Sequence, residues 1–585
     1  MGRMKSLSLS RRQMLTRLLT TGVIAAVGSR ATEPGLFAGD KSILLLPKLT
    51  GNPLRFPPVI TGGTMTLAAG SVSIWPGTTT QVFAVNSSYP APTVQVERGS
   101  TFTVKFINQL SEPSTIHWHG LIVPELMDGH PKDAVQPGAS YTYSFPVLQR
   151  AGTYLYHSHA FMRTAAQVYK GFAGFFIVTD ASESSLGLPT GGFDVPLVIQ
   201  DRRSVDIPRF AYNPTPMDVM NGFLGDLPLV NGTPDAYLEV SRTMYRFRLL
   251  NGSNARVYKI GLSDNHIFHT LSTDGGLKDQ AVEATSFVLS PGERVEILMD
   301  FSSYAIGQSV ILKSLPFAQG MGQYPQGVEM NLLRFDVASN AQSGGVVPAS
   351  LPPITYLNPS NVVRTRTFAL TSAMMGGHKI NNVSFDLKRI DEEVPAHQLE
   401  EWVIINSTDE YHPMHIHGLL FQVHSRNGNT ILPPSEKGWK DTVLVNPRDT
   451  VKVLVRFEDY AGVYLFHCHN LEHEDDGMML NIRVMTSTDI ADRGEDLPSE
   501  VTLHQNYPNP FNPSTTIRYG LPIRSHVMLT VFNALGQQVS ILQDGEQDAG
   551  YHEVRFDGSN LPSGVYFYRI QVGVFTDTKM FLLIR

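Results

Sequence analysis

The sequence predicts an all-β protein made of several β-sandwich units. Apolar and polar residues alternate along 93–110, 293–302 and 449–459, with the period of two that is typical of half-buried strands. Glycine (49 residues) and proline (38 residues) are frequent, as expected where turns join many short strands. Because 585 residues are too many for one hydrophobic core, we expect sandwiches in series rather than one large sheet. The net charge of −7 is small for this length and argues against a nucleic-acid-binding protein.

The N-terminus has the layout of an export signal. A basic start precedes a mildly apolar stretch from Leu18 to Gly28, so 1–31 is predicted to be a signal peptide. Ser10–Leu15 reads SRRQML and resembles the twin-arginine signal, although Met14 stands where that signal usually has Phe; an ordinary secretory signal is the alternative. No other stretch of the sequence reaches the roughly 18 uninterrupted apolar residues of a membrane helix. We therefore expect a mature protein outside the cytoplasm, without a membrane span.

Changes in composition indicate where the units begin and end. Small residues crowd 338–353 and polar residues crowd 487–500, and both stretches are predicted to be linkers. The predicted units are 50–179, 180–337, 354–485 and 501–585.

Ten of the 19 histidines lie in four short stretches, HWHG, HSH, HPMHIHG and HCHNLEH, and each stretch contains a His-x-His pair. In a strand, residues i and i+2 point to one face, so each pair directs two imidazoles the same way. One such pair is weakly informative, because solvent-facing histidines form it by chance. Four pairs predict a polynuclear metal centre between the first and third units, since eight imidazoles exceed the needs of one ion. Its candidate ligands are His117, His119, His157, His159, His415, His417, His467 and His469.

Cys468, the only cysteine, stands between His467 and His469. Strand geometry turns its side chain away from theirs, so it can bind a second metal behind them. Two histidines, one thiolate and a weak axial methionine form the ligand set of a blue-copper site. A buried inert thiol is the alternative, and a structural zinc site usually needs more cysteines. The candidate ligands of this second site are His412, Cys468, His473 and Met478.

The two predicted centres are joined through the backbone. A metal on Cys468 is covalently connected to His467 and His469, which face the polynuclear centre. One-electron donors oxidised at the Cys468 metal can thus supply electrons to a four-electron acceptor at the other centre.

These four motifs, in this order, resemble those of the multicopper oxidases, which include laccases, bilirubin oxidases and bacterial cuprous oxidases. The resemblance covers about residues 50–485 and implies three cupredoxin-like domains, four copper ions and reduction of O2 to water. By motif position it implies that His412, Cys468 and His473 bind type 1 copper, with Met478 axial, a choice typical of lower-potential bacterial enzymes. The implied type 2 ligands are His117 and His415. The implied ligands of the type 3 pair are His119, His157, His159, His417, His467 and His469.

Two acids next to the motifs are candidates for a proton relay. Reduction of O2 consumes protons in a buried site, and in similar bacterial enzymes acids at the places of Asp128 and Glu474 serve this purpose. The alternative is a turn aspartate before Gly129 and a surface glutamate in the run EHEDD.

The last unit, 501–585, alternates strand-like segments with Gly and Pro turns and predicts a small immunoglobulin-like β-sandwich. It resembles the C-terminal sorting domain of the bacterial type IX secretion system. The resemblance implies transit through the periplasm and delivery by the secretion machinery to the cell surface or the medium. An accessory module without a sorting role is the alternative.

The sequence thus predicts a secreted multicopper oxidase with laccase-like activity on phenols or aromatic amines. Oxidation of Cu(I), Fe(II) or Mn(II) is the second possibility, and MMGGH (Met374–His378) places soft ligands in the third unit. Copper nitrite reductases lack the full trinuclear set. Some relatives keep the architecture, lose copper ligands and act as structural or division proteins; the complete histidine set argues against that role.

Overall fold

A computed structural model describes residues 51–585 apart from 76, 208, 318–323, 342–343, 374–376, 459, 487–497, 499 and 585. The predicted signal peptide, Met374 and Met375, and most of the 487–500 linker lie outside the described residues. Among the residues described, no helix is long and apolar enough to cross a membrane. Strands dominate, and the predicted all-β class is confirmed.

The first sandwich packs two sheets around one core, with the orders β2-β5-β10-β9-β7 and β4-β3-β6-β8. Burial alternates along β6, where Phe102, Val104 and Phe106 face inward, as the sequence period predicts. The elements are β1 (Asn52–Pro53), β2 (Val59–Ile60), β3 (Gly63–Val72), β4 (Thr80–Val85), β5 (Thr93–Glu97), β6 (Thr101–Asn108), β7 (Ile116–His117), β8 (Ser140–Pro146), β9 (Gly152–Ser158), α1 (Thr164–Tyr169) and β10 (Ala173–Thr179), with 3-10 turns at Glu125–Met127 and Pro131–Asp133.

The second sandwich has sheets of order β1-β14-β22-β21-β16-β19 and β13-β12-β11-β15-β20-β17-β18, so the early strand β1 belongs to it. Its elements are β11 (Asp194–Arg202), α2 (Pro216–Asn221), β12 (Leu227–Val230), β13 (Thr233–Pro234), β14 (Ala236–Arg242), β15 (Met244–Asn251), β16 (Tyr258–Leu262), β17 (Phe268–Thr273), β18 (Gly276–Ala284), β19 (Ser286–Leu289), β20 (Arg294–Asp300), β21 (Ser309–Ser314) and β22 (Met330–Asn340), with 3-10 turns at Ala181–Leu186, Gly191–Phe193 and Ser204–Asp206. A single large apolar cluster fills it.

The third sandwich has sheets of order β24-β23-β26-β30-β28 and β25-β32-β31-β27-β29. Its core contains Cys468 and Met478 among aliphatic and aromatic residues. The elements are β23 (Arg364–Ala373), β24 (Gly377–Ile380), β25 (Glu392–Pro395), β26 (Glu400–Asn406), β27 (His412–Ile416), β28 (Gln422–Arg426), β29 (Thr442–Val445), β30 (Thr450–Val455), β31 (Gly462–Cys468), α3 (Leu471–Asp475) and β32 (Met479–Met485), with a 3-10 turn at Pro359–Asn361.

The C-terminal sandwich has its own core and two sheets, β33-β34-β37 and β36-β35-β38-β39. The strands are β33 (Thr502–Leu503), β34 (Ser514–Leu521), β35 (Ser525–Asn533), β36 (Gln538–Gln547), β37 (Gly550–Asp557), β38 (Gly564–Val572) and β39 (Phe575–Leu583). All its neighbours in each sheet are antiparallel.

Candidate metal centres

Eight buried imidazoles converge where the first and third sandwiches meet. The Nε2 atoms of His117 and His415 are 3.2 Å apart, and those of His159 and His467 are 3.3 Å apart. All eight histidines predicted to form a polynuclear centre are in this group. Residues separated by about 300 positions in the chain therefore present ring nitrogens to one small volume.

Strand register sets up the group. In the first sandwich, antiparallel β7 and β9 place His117 opposite His157. In the third, antiparallel β27 and β31 place His415 opposite His467. The second histidine of each His-x-His pair lies just beyond the end of its strand, and its ring still joins the group. These four residues are His119, His159, His417 and His469.

In most of these imidazoles, one ring nitrogen contacts a group outside the histidine cluster. That contact shows which of the two nitrogens is left to face the cluster. Nδ1 of His117 lies 2.8 Å from the backbone oxygen of Asp128, and Nδ1 of His415 lies 2.8 Å from that of Asp441. A carbonyl only accepts, so each neutral ring carries its proton on Nδ1 and a lone pair on Nε2. The two Nε2 atoms, 3.2 Å apart, are then both acceptors and cannot hydrogen-bond to each other. A metal cation between them fits this arrangement.

The pKa values of seven of the eight histidines favour the same neutral form. Burial is the main cause of the lowering, and repulsion from neighbouring imidazoles adds to it. Neutral imidazole is the form that binds metals. The pKa of His157 falls to about 4. The pKa is lowered well below the usual value for His117, His119, His159, His415, His417 and His469.

His119 presents its other nitrogen. Its Nε2 is 2.9 Å from Oδ1 of Asp441 and 3.1 Å from the Thr442 hydroxyl, so Nδ1 points to the group, 3.4 Å from Nε2 of His157. Its ring stacks on that of His415, with centroids 3.6 Å apart. The Asp441 carboxylate thus decides which atom of His119 is free to bind a metal.

Arg294 of the second sandwich holds the Asp441 carboxylate with both terminal nitrogens. The same guanidinium donates to the backbone oxygens of Thr153, Gly292 and Asp274. Both charged side chains are completely buried. The second sandwich contributes none of the eight imidazoles, yet its Arg294 contacts both the first and the third sandwich.

Asp128 and Glu474 are both buried beside the histidines. Asp128 Oδ2 lies 2.7 Å from Nδ1 of His417, and burial raises the pKa of this carboxyl well above its usual range. Glu474 has its carboxylate oxygens 3.4 Å from Nδ1 of His159 and 3.3 Å from Nδ1 of His467. Neither Glu474 oxygen makes a regular hydrogen bond within the described residues.

The second predicted site also forms a compact group. Sγ of Cys468 lies 3.6 Å from Nδ1 of His412 and 3.7 Å from Nδ1 of His473, and the two nitrogens are 3.1 Å apart. All three residues are completely buried. Nε2 of His412 contacts the Thr408 hydroxyl at 2.8 Å, which leaves Nδ1 facing the sulfur.

The donor set of this group suits copper. Burial raises the pKa of the Cys468 thiol, as expected for a sulfur without a cationic partner, and a metal ion provides such a partner. Burial lowers the pKa of His412 to about 3, so its imidazole is neutral. Met478 is buried, and its backbone oxygen accepts a hydrogen bond from Cys468 N at 3.1 Å. Thiolate, imidazole and thioether are ligands of a blue-copper site.

Several residues around both groups carry no histidine-spacing signal in the sequence. Arg294 and Asp441 are 147 positions apart and belong to no local motif. His378 ends the MMGGH stretch noted in the sequence and stacks on His473, with centroids 3.8 Å apart, but it has no histidine two positions away. Asp441 lies in the triplet KDT, which has no histidine or cysteine at a spacing typical of metal ligands. Only a search for acids able to orient imidazoles could have suggested it.

Comparison with known proteins identifies three regions. Residues 66–183 and 351–488 match the multicopper oxidase family, and 505–583 match the secretion system C-terminal sorting domain. The chain is 33% identical to a laccase from Bacillus subtilis over 473 residues, covering 70% of this chain and 91% of the laccase. It is 31% identical over 494 residues to the cell division protein FtsP of Dickeya dadantii, covering 82% of this chain and all of FtsP.

Solved structures show the same likeness. The multicopper oxidase McoA of Aquifex aeolicus superposes with a TM-score of 0.69 at 34% identity, covering 74% of this chain and 100% of McoA. A metallo-oxidase of Campylobacter jejuni superposes with a TM-score of 0.65 at 26% identity, and the match covers 75% of this chain and 95% of the metallo-oxidase. The predicted cupredoxin-like sandwiches and sorting domain are confirmed. Copper is the metal this likeness implies, and the chain belongs to the multicopper oxidase family.

Proposed function

We propose that this protein is a secreted oxidase that uses four copper ions to couple oxidation of one-electron donors to reduction of O2. The observation that carries the proposal is the completeness of the two donor groups, in which ten buried histidines and Cys468 present ring nitrogens and one sulfur. In this assignment His412, Cys468, His473 and Met478 hold type 1 copper, and His117 and His415 hold type 2 copper. The type 3 ligands are His119, His157, His159, His417, His467 and His469.

The chain arranges these groups for electron transfer over a short distance. Copper held by these residues would supply one-electron redox chemistry, by which four electrons and four protons would convert one O2 to two water molecules. Strand β31 ends at Cys468, with His467 inside the strand and His469 directly after it, so the two groups are joined by consecutive residues. Burial of all ligands excludes bulk water from both.

Asp128 and Glu474 are proposed to move the protons that O2 reduction consumes. Because the pKa of Asp128 is raised by burial, this carboxyl can carry a proton. Its Oδ1 has no hydrogen-bond partner within the described residues and is the atom available for that proton. Glu474 lies within 3.4 Å of imidazoles from both the first and third sandwiches, where a carboxylate can pass protons inward.

Laccase-like oxidation of phenols or aromatic amines is the proposed activity, supported by the 33% identity to a laccase. Oxidation of a metal ion is the alternative, favoured by the structural likeness to a metallo-oxidase. A non-enzymatic role like that suggested by the name of the cell division relative is a third candidate. The complete donor set favours an oxidase over that role.

The decisive experiment measures copper content and O2 uptake of the purified protein with a phenol, an aromatic amine, Cu(I), Fe(II) and Mn(II). We expect four coppers per chain, a blue colour and O2 uptake with at least one donor. The matched control is Cys468→Ser, which changes one atom of the donor groups. A colourless wild-type protein with full copper content, or equal O2 uptake by both proteins, would contradict the proposal.

The C-terminal sorting domain supports delivery to the cell surface or the medium by a dedicated secretion machinery. The domain has its own hydrophobic core, so it can act as a separate recognition module. We propose that it takes no part in copper binding, because all the proposed ligands lie in the first and third sandwiches.

A further inference from the structure

An electron donor in solution cannot contact either imidazole of the Cys468 group directly. His412 and His473 are both completely buried. Nε2 of His473 lies 3.1 Å from the backbone oxygen of Met220 and 3.1 Å from Nδ2 of Asn470, and Nε2 of His412 is covered by Thr408. Electrons must therefore cross some protein group before they reach the type 1 ligands.

The segment that covers His473 is a firmly packed part of the second sandwich. Helix α2 begins with a capping box formed by Thr215 and Asp218. Arg203 forms an ion pair with Asp218. At the other end of the helix, the Phe223 backbone N–H donates to Glu472 of α3 at 3.0 Å. These contacts hold the Met220 carbonyl against His473, so the cover is not a loose loop.

A different side of His473 is in contact with a second imidazole. The ring of His378 lies nearly parallel to it, with centroids 3.8 Å apart and planes at 15°. The side chain of His378 is 1% exposed, and its Nε2 has no hydrogen-bond partner within the described residues. A hydrogen bond from Nε2 therefore does not explain why a histidine stands at position 378.

Asp476 connects His378 to the solvent. Its Oδ2 accepts hydrogen bonds from Nδ1 of His378 at 2.8 Å and from the His378 backbone N–H at 2.9 Å. Its side chain is 29% exposed. A continuous series of contacts thus leads from a negative surface group to His473.

We infer that Asp476 and His378 form the route by which electrons reach His473, and that Asp476 selects positively charged one-electron donors. The inference rests on the proposed function and narrows its substrate class to cationic one-electron donors, such as reduced metal ions. Each donor loses one electron to the type 1 site, and four donors with four protons reduce one O2 to two water molecules. Asp476 contacts the donor, and His378 acts through His473.

The test uses two octahedral outer-sphere donors of opposite charge, hexaammineruthenium(II) and hexacyanoferrate(II). Loss of the blue colour is followed without O2 in the copper-loaded full-length protein, at low and high salt. The variants are Asp476→Asn, which keeps the acceptor but removes the charge, and His378→Leu, which removes the stacked ring. The control is Asp409→Asn, because Asp409 lies three residues from His412 but pairs with Arg448 and makes no contact with His378.

We expect Asp476→Asn to slow reduction by the ruthenium cation about tenfold at low salt, the factor that Coulomb attraction gives a dication roughly 6 Å from one carboxylate in water. Reduction by hexacyanoferrate(II) should be no slower, and added salt should shrink the difference. His378→Leu should slow both donors. Asp409→Asn should change neither rate more than about twofold.

Four measurements separate the route from a structural effect. Copper content, the blue absorption band and the reduction potential of the type 1 site should match the wild type in Asp476→Asn. Thermal unfolding of the metal-free variants reports whether they fold. If Asp476→Asn and Asp409→Asn behave alike with both donors, or His378→Leu leaves both rates unchanged, electrons cross α2 instead and the inference is wrong. A wild-type protein that is not blue, or is reduced by neither donor, would refute the proposed function itself.

Discussion

Replacing Arg294 with methionine tests whether the second sandwich maintains the polynuclear centre. The change keeps most of the side-chain volume but leaves the Asp441 carboxylate buried without its cation. It also removes donors to the backbone oxygens of Thr153, Gly292 and Asp274, at 3.0, 2.7 and 3.1 Å. Breaking a buried ion pair in this way costs about 3–5 kcal/mol of folding free energy.

The assay is urea unfolding of the metal-free protein, followed by tryptophan fluorescence, because Trp118 and Trp402 are buried in the first and third cores. Copper content is measured in parallel. We expect a lower unfolding midpoint and loss of copper from the polynuclear centre, since Asp441 no longer orients His119.

A double variant tests the direction of the change in unfolding free energy as well as its size. Arg294→Met with Asp441→Asn removes the stranded charge and keeps an oxygen that accepts from His119, so it should be more stable than Arg294→Met alone. The control Lys132→Met removes a part-exposed ion pair with Glu125 and should cost less than about 1 kcal/mol. An Arg294→Met protein within about 1 kcal/mol of the wild type, or a double variant no more stable than the single one, would refute this account.

Four other outcomes are expected. Cys468→Ser should lose the blue colour and donor oxidation but keep about three coppers per chain by elemental analysis; retained turnover would exclude Cys468 from the electron path. Glu474→Gln should lower O2 reduction at least about a hundredfold without loss of copper, measured as reoxidation of the reduced protein, and an unchanged rate would remove Glu474 from the proton relay. The metal-free protein should lose stability as the pH falls from about 6.5 to about 4, because the unfolded chain binds protons that His157, with its pKa lowered to about 4, and its neighbours do not bind when folded; a flat unfolding midpoint across this range would contradict the neutral assignment. Deletion of 501–585 should leave copper content and oxidase activity intact but stop release from the cell, whereas loss of copper would make the last sandwich part of the enzyme.

Local patterns were sufficient to predict that this fold is built of strands. Strand β6 alternates inward Phe102, Val104 and Phe106 with outward residues, which is visible in the sequence because one face of that strand is solvated. Strand β9 is buried on both faces, so its alternation is weaker and its His-x-His pair was the better signal. The acidic run EHEDD appears solvent-exposed by composition, yet Glu472 and Glu474 are buried by contacts with other sandwiches.

The sequence by itself determined the class of fold, the family and the residue types able to hold copper, because strand periodicity and the His-x-His spacing are local properties of the chain. Tertiary structure alone decided which nitrogen His119 presents, which cation stabilises Asp441, and which group lies between His473 and the solvent. These features arise from contacts between residues far apart in the chain, such as Arg294 with Asp441 and His378 with His473. No local period encodes such contacts, since they depend on how separate sandwiches pack once their strands have formed.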